Sequence, residues 1–221
     1  MKPIIKLNDI WANYGKRNVL QNVSLEIEEH DFLGIIGPNG GGKTTLMKII
    51  LGLLTPEKGS VQFFEDGKSV EKITIGYLPQ YNQIDKKFPI AAQEVILSGL
   101  AHRKSIFNKY KDEDYQRVKE VISQLGLEGL EERQIGQLSG GQLQRVFLGR
   151  AIVAHPKVLI LDEPNTYLDR EGEEKLYQLL VQINQESAII LVSHDQSAVK
   201  QHAKRTAYVS ETLEMINNAK E

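Results

Sequence analysis

The stretch FLGIIGPNGGGKTTLMKII, residues 32–50, leaves few folds open. A short apolar run ends in Gly37-Pro38-Asn39-Gly40-Gly41-Gly42-Lys43-Thr44-Thr45, and a helix-forming run follows at once. The spacing is G-x-x-x-x-G-K-S/T, set between a strand and a helix, which is the context in which it has a mechanism. Glycines let the backbone wrap an anion with its N–H groups converging, and the helix N-terminus adds partial positive charge. Lys43 would reach the β- and γ-phosphates of a nucleotide, and the Thr44 hydroxyl would ligate Mg2+. From average residue frequencies, the four fixed positions would recur by chance in such a chain roughly once in a hundred, before the context is counted.

A Mg-nucleotide needs a carboxylate beyond the threonine, and KVLILDEP supplies one. An apolar strand ends there in Asp162 and Glu163. Ligands of open α/β sheets collect at the carboxyl ends of strands. Asp162 would hold Mg2+ directly or through water, and Glu163 could orient or deprotonate an attacking water. SAIILVSHD is a second apolar strand, with His194 at its tip as a donor toward the γ-phosphate. Gln80, closing ITIGYLPQ, has an uncharged amide able to touch water or metal at the same edge. Tyr14 carries no signal of its own, since an aromatic near a strand end is more often packing than a stacking platform.

The first 35 residues or so read as short strands: IIKLNDIWANY, VSLEIEE and FLGII. TTLMKIILGLL places Leu46, Ile49, Ile50 and Leu53 on one helical face, with Gly52 near the helix end. GSVQFFEDGKS reads as a strand and turn. From about Pro89 to Gly136 the chain is rich in charge and helix formers without a convincing strand, which suggests an inserted helical lobe. Strands alternating with helices predict a mostly parallel sheet covered on both faces. The 221 residues suit a single domain. Its division is about 1–86 and 137–221 for a core with a β subdomain, and about 87–136 for the helical subdomain. A net charge of −2 gives no reason to expect nucleic acid as a partner. Cysteine is absent, which excludes disulfides and thiolate metal sites. No apolar run approaches the ~20 residues of a membrane-spanning helix, so any work at a membrane would go through a partner.

Residues 138–142, Leu-Ser-Gly-Gly-Gln, form a second anion-shaped turn ahead of a helix. Taken together, these segments resemble the nucleotide-binding subunit of ATP-binding cassette (ABC) transporters, over essentially the whole chain and in the family's order. That order is Tyr14 as the adenine-stacking aromatic, GPNGGGKTT as Walker A and Gln80 as the Q-loop. LSGGQ follows as the signature, LILDEP as Walker B, NTYLD as the D-loop and His194 as the switch histidine. The resemblance implies a P-loop NTPase (RecA-like) α/β fold with an antiparallel β subdomain and an inserted helical subdomain. It also implies ATP and Mg2+ as cofactors, and a head-to-tail homodimer. In such a dimer Ser139, Gly140, Gly141 and Gln142 of one copy cover ATP gripped by Lys43 of the other. A glycine pair permits that close approach and Ser139 can cap or donate.

The resemblance further implies integral membrane permease subunits as partners, with the cassette peripheral on the cytoplasmic face. The permease's coupling helix would be received around residues 80 to 110. Within the family, IGYLPQYNQIDKKFPIAAQEVILSGL looks most like ATPases of zinc, manganese or iron importers, which are served by an outside metal-binding protein. Asn165 and Tyr167 depart from the usual D-loop, leaving dimer contacts there open, while Asp169 is retained. The other readings are a cassette for another solute and a soluble cassette acting on DNA or ribosomes. A GTPase is rejected, because NKYK at 108–111 has Lys where guanine recognition needs Asp.

Overall fold

VLILD and AIILV become neighbouring parallel strands buried along their whole length, which is why neither run shows a polar alternation. The computed structural model describes residues 2–15, 17–80, 88–101, 109–165 and 168–216. Ten strands are described: β1 Pro3–Tyr14, β2 Arg17–Glu28, β3 Phe32–Ile36, β4 Lys58–Glu65, β5 Lys68–Val70, β6 Ile75–Leu78, β7 Val158–Asp162, β8 Ala188–Val192, β9 Arg205–Ser210 and β10 Thr212–Ile216. The helices are α1 Lys43–Ile50, α2 Ala92–Ser98, α3 Asp112–Gln124, α4 Gly140–Ile152, α5 Arg170–Ile183 and α6 Gln196–His202. A six-stranded sheet runs β10-β9-β3-β8-β7-β6, parallel except for the β10–β9 hairpin. A separate antiparallel sheet of four strands runs β2-β1-β4-β5.

Successive residues of the central strands serve two cores. Leu159, Leu161, Ile189 and Leu191 meet the side chains of α2 to α5. Val158, Ile160, Ile190 and Val192 meet α1 and the β1–β2 face. This alternation fixes the site, because Asp162 continues the row of Val158 and Ile160 and so faces the layer that holds α1. The base of the 92–136 segment is closed by backbone bonds from Ala92 to Arg133 and from Ile135 to Ile90.

Two local expectations change. β1 matches the run IIKLNDIWANY to within a residue, but β2 begins at Arg17, six residues before the VSLEIEE run expected for it. Asp9 and Asn22 take left-handed φ of 47° and 51°, and pairing shifts register around them, so the alternation that marks a strand is broken without ending it. Leu53 lies outside the apolar face of α1. The helix stops at Ile50 with Leu51 as its cap, Gly52 turns the chain at φ 70°, and Leu53 is 70% exposed.

Candidate functional site

The glycine loop leaves β3, the strand flanked by β8 and β9, and enters α1 through Gly42 at φ 106°. Space as well as conformation demands glycine. A Cβ on Gly37 would stand 2.1 Å from the Val209 carbonyl oxygen, and one on Gly42 2.8 Å from that of Val19. The loop is thus pressed against β9 and β2. The Lys43 ammonium donates to the carbonyls of Gly37 at 2.9 Å and Pro38 at 3.1 Å, which sets it along the inside of the loop.

A cleft of about 400 Å3 opens over this loop. It brings together Tyr14, Asn39, Gly40, Gly42, Lys43, Thr44, Thr45, Gln80, Asp162 and Glu163, all expected to serve one site. Thr44, Gln80 and Asp162 offer oxygen ligands from three elements, the donor chemistry that suits Mg2+. Asp162 is 9% exposed. Burial and then the neighbouring Glu163 charge push its carboxyl up, while Tyr77 and Lys43 act in the opposite sense. The Tyr77 hydroxyl donates to Asp162 Oδ2 at 3.5 Å and is itself pushed up to about 12, chiefly by burial. It therefore keeps its proton and remains a donor.

Glu163 departs from strand geometry. Its φ is 51°, a conformation that costs a non-glycine residue about 1–3 kcal/mol. Its N–H donates to the Val192 carbonyl at 2.9 Å, which holds it there. His194 stands at the end of β8 with Nδ1 2.5 Å from Glu163 Oε2; its side chain is 70% exposed against 13% for Glu163. The β7–β8 register, with Asp162 opposite Val192, brings this pair together across 31 positions of sequence.

The LSGGQ turn lies elsewhere. Ser139 Oγ accepts the Gln142 N–H at 3.2 Å, and Gln142 Oε1 accepts the Ser139 N–H at 3.0 Å, a reciprocal cap on α4. The serine's own O–H stays available to donate outward. Ser139, Gly141 and Gln142 line a cleft of about 290 Å3 with Leu168 and Asp169, and it shares no lining residue with the cleft over the glycine loop. Asp169 caps α5 by accepting the Gly172 N–H at 2.9 Å. Asn165 donates through Nδ2 to Glu173 Oε1 at 2.8 Å, tying the D-loop to α5. Tyr167 lies outside the described residues.

Two polar residues were not singled out in the sequence: Arg17, which lines the cleft, and Tyr77, which bonds to its Asp162. Tyr77 pairs with Ile160 and so shares a face with Asp162, a placement that needs the β6–β7 register. Arg17 pairs with Tyr14 across the β1–β2 hairpin. The YGKR run, a glycine-containing turn between two strands, was the signal available for it. Among the described residues no helix is long and apolar enough to cross a membrane, and no group of three or more His, Cys, Asp or Glu gathers to hold a metal.

A family model described as ABC transporter matches residues 20–166. The chain is 35% identical over 226 residues to the zinc uptake system ATP-binding protein ZurA of Listeria innocua, spanning 100% of the chain and 88% of that protein. It is 36% identical over 190 residues to the manganese transport system ATP-binding protein MntB of Bacillus subtilis, spanning 86% and 76%. Among solved structures, it superposes with a TM-score of 0.80 and 27% identity on a dimeric ATP-binding cassette in a post-hydrolysis state bound to ADP and phosphate, covering 99% of the chain and 100% of that one.

Proposed function

The chain belongs to the ABC transporter family, and from that premise we propose that it is the ATP-hydrolysing motor of a divalent-metal importer, acting as a homodimer on membrane permease subunits. One observation carries the reading. The cleft that collects Tyr14, Lys43, Thr44, Gln80, Asp162 and Glu163 is separate from the one formed by Ser139 and Gly141. An anion-shaped turn in a cleft apart from its own chain's phosphate loop supports a reading in which a second copy supplies the phosphate.

In this reading Tyr14 stacks on adenine, while the loop N–H groups from Gly37 to Thr45 and the Lys43 ammonium hold the triphosphate. Thr44, Asp162 and Gln80 would hold Mg2+, which when bound supplies charge neutralisation to the phosphates. Glu163 takes a proton from water as its oxygen attacks the γ-phosphorus and the bond to the ADP oxygen breaks. His194, on Glu163 Oε2, aims that carboxylate. Ser139, Gly140, Gly141 and Gln142 of the other copy close over the γ-phosphate, so hydrolysis removes the group that holds the two faces together.

Gln80 and the helical subdomain of about 87–136 would pass this closure to the permease at the cytoplasmic membrane face. The expected docking region of 80–110 includes 81–87 and 102–108, which lie outside the described residues; the rest presents Phe88, 60% exposed. Zinc, manganese or iron as cargo is supported by the names of the relatives and by the FP-to-EVILSG stretch. Metal is cargo here and needs no site on this subunit. The test is co-purification with the permease, reconstitution into vesicles, and ATPase measurement with binding protein loaded with each metal in turn. Stimulation by a zinc-, manganese- or iron-loaded binding protein is expected; a response confined to a non-metal solute overturns the cargo assignment.

A further inference from the structure

Arg17 is exposed at the mouth of the β1–β2 hairpin and lines the cleft beside Tyr14, its cross-strand partner. Its guanidinium reaches over the glycine loop, with Nη2 the nearest atom, at 3.8 Å, to the place a Cβ on Gly40 would take. Lys43 touches the loop at other points, Gly37 and Pro38. Arg17 carries no ion pair among the described residues, so nothing there holds it in place of a ligand. Among the described lining residues the charges are those of Arg17 and Lys43 against Asp162 and Glu163. Without Arg17 the lining is net negative, an unfavourable surface for a polyphosphate.

We propose that Arg17 is a second nucleotide-binding cation, donating from the hairpin to the phosphate chain beyond the α-phosphate and so raising affinity for ATP and ADP but not for AMP. The proposal rests on reading the cleft as the nucleotide site. A planar guanidinium presents several donors to phosphate oxygens, and its reach from the turn that carries Tyr14 would couple adenine stacking to phosphate binding. Arg17 stands away from Asp162 and Glu163 in sequence and element, so its part is in binding rather than in the chemical step.

The experiment measures binding of Mg-ATP, Mg-ADP and AMP to the full chain by competition against a fluorescent ATP analogue, for the parent, Arg17→Ala, Arg17→Lys and Lys43→Ala. Steady-state ATPase gives KM and kcat. Arg17→Ala is expected to weaken ATP and ADP roughly tenfold, the scale of one charge-assisted hydrogen bond, to leave AMP and kcat unchanged, and to be largely rescued by lysine. If Arg17→Ala binds ATP like the parent while Lys43→Ala loses it, the cleft stands and the role of Arg17 falls. Parent-like binding by both variants removes the cleft as the nucleotide site, and the proposal with it. Equal losses for AMP and ATP overturn a phosphate contact and place Arg17 in support of the adenine side.

Discussion

If each ATP is shared between two copies, defects in the two clefts should complement. Lys43→Ala disables the glycine-loop half of a site, and Ser139→Arg fills the signature half with a bulky cation. Because the two clefts share no lining residue, each substitution leaves the other half intact in its own chain. A mixed dimer then holds one site with both halves intact and one with both broken. Equal mixing with free exchange makes half the dimers mixed, so the preparation carries about a quarter of the parent's competent sites. The assay is phosphate release by each variant alone and by the mixture, after exchange in the nucleotide-free state. Ser139→Arg also removes the cap on α4, worth about 1 kcal/mol, so a thermal melt must show that this chain stays folded. Activity of the mixture at about a quarter of the parent is expected when the sites turn over independently. Parent-like activity of folded Ser139→Arg alone, or a mixture no better than its components, would refute the shared site.

Glu163→Gln keeps the side chain's size but removes its basicity; turnover should fall about 10^2- to 10^4-fold while ATP still binds and holds a dimer in size-exclusion chromatography. Near-normal turnover would take Glu163 out of the chemistry. Asp162 has its carboxyl pushed up by burial, so its ionised form opposes folding above the ordinary carboxylate range. Asp162→Asn should therefore melt no lower than the parent at neutral pH without Mg2+ while losing ATPase, and a clearly lower melting temperature would contradict this. His202 stacks on Tyr177 at 3.8 Å and is held below 6.5, first by burial. As pH falls below 6.5 the unfolded chain takes up a proton that the folded chain resists, so this residue's contribution declines toward its depressed folded value and then levels. Denaturant melts from pH 7.5 to 5 should slope less in His202→Gln; identical slopes would dismiss the effect.

The glycine loop and the two apolar strands were legible because each is local, a fixed spacing or a continuous run. That Asp162 faces the loop follows from alternation once β7 is placed. The contact of Glu163 with His194 was not read, although β7 ends one residue before Glu163 and β8 two residues before His194, and a parallel in-register pair sets those ends side by side. Tyr77 and Arg17 were missed because their roles depend on which strand lies next to which, and nothing in either local stretch states that. The first half of β2 was hidden by Asn22, whose left-handed turn interrupts the pattern that marks a strand.

The positions of β3 and β6 divide the molecule mechanically. β3 has a strand on each side, β8 and β9, whereas among the described residues β6 is an edge strand, hydrogen-bonded within the sheet to β7 only. A load applied to the glycine loop is spread over three strands at once, like a beam clamped along both edges. A load applied at Gln80, just past β6, meets one ladder of bonds. If closure is passed on at Gln80 as proposed, the grip would be the stiffer part and the lever the softer one, so that closing would be felt at the margin of the sheet while the seat stays still.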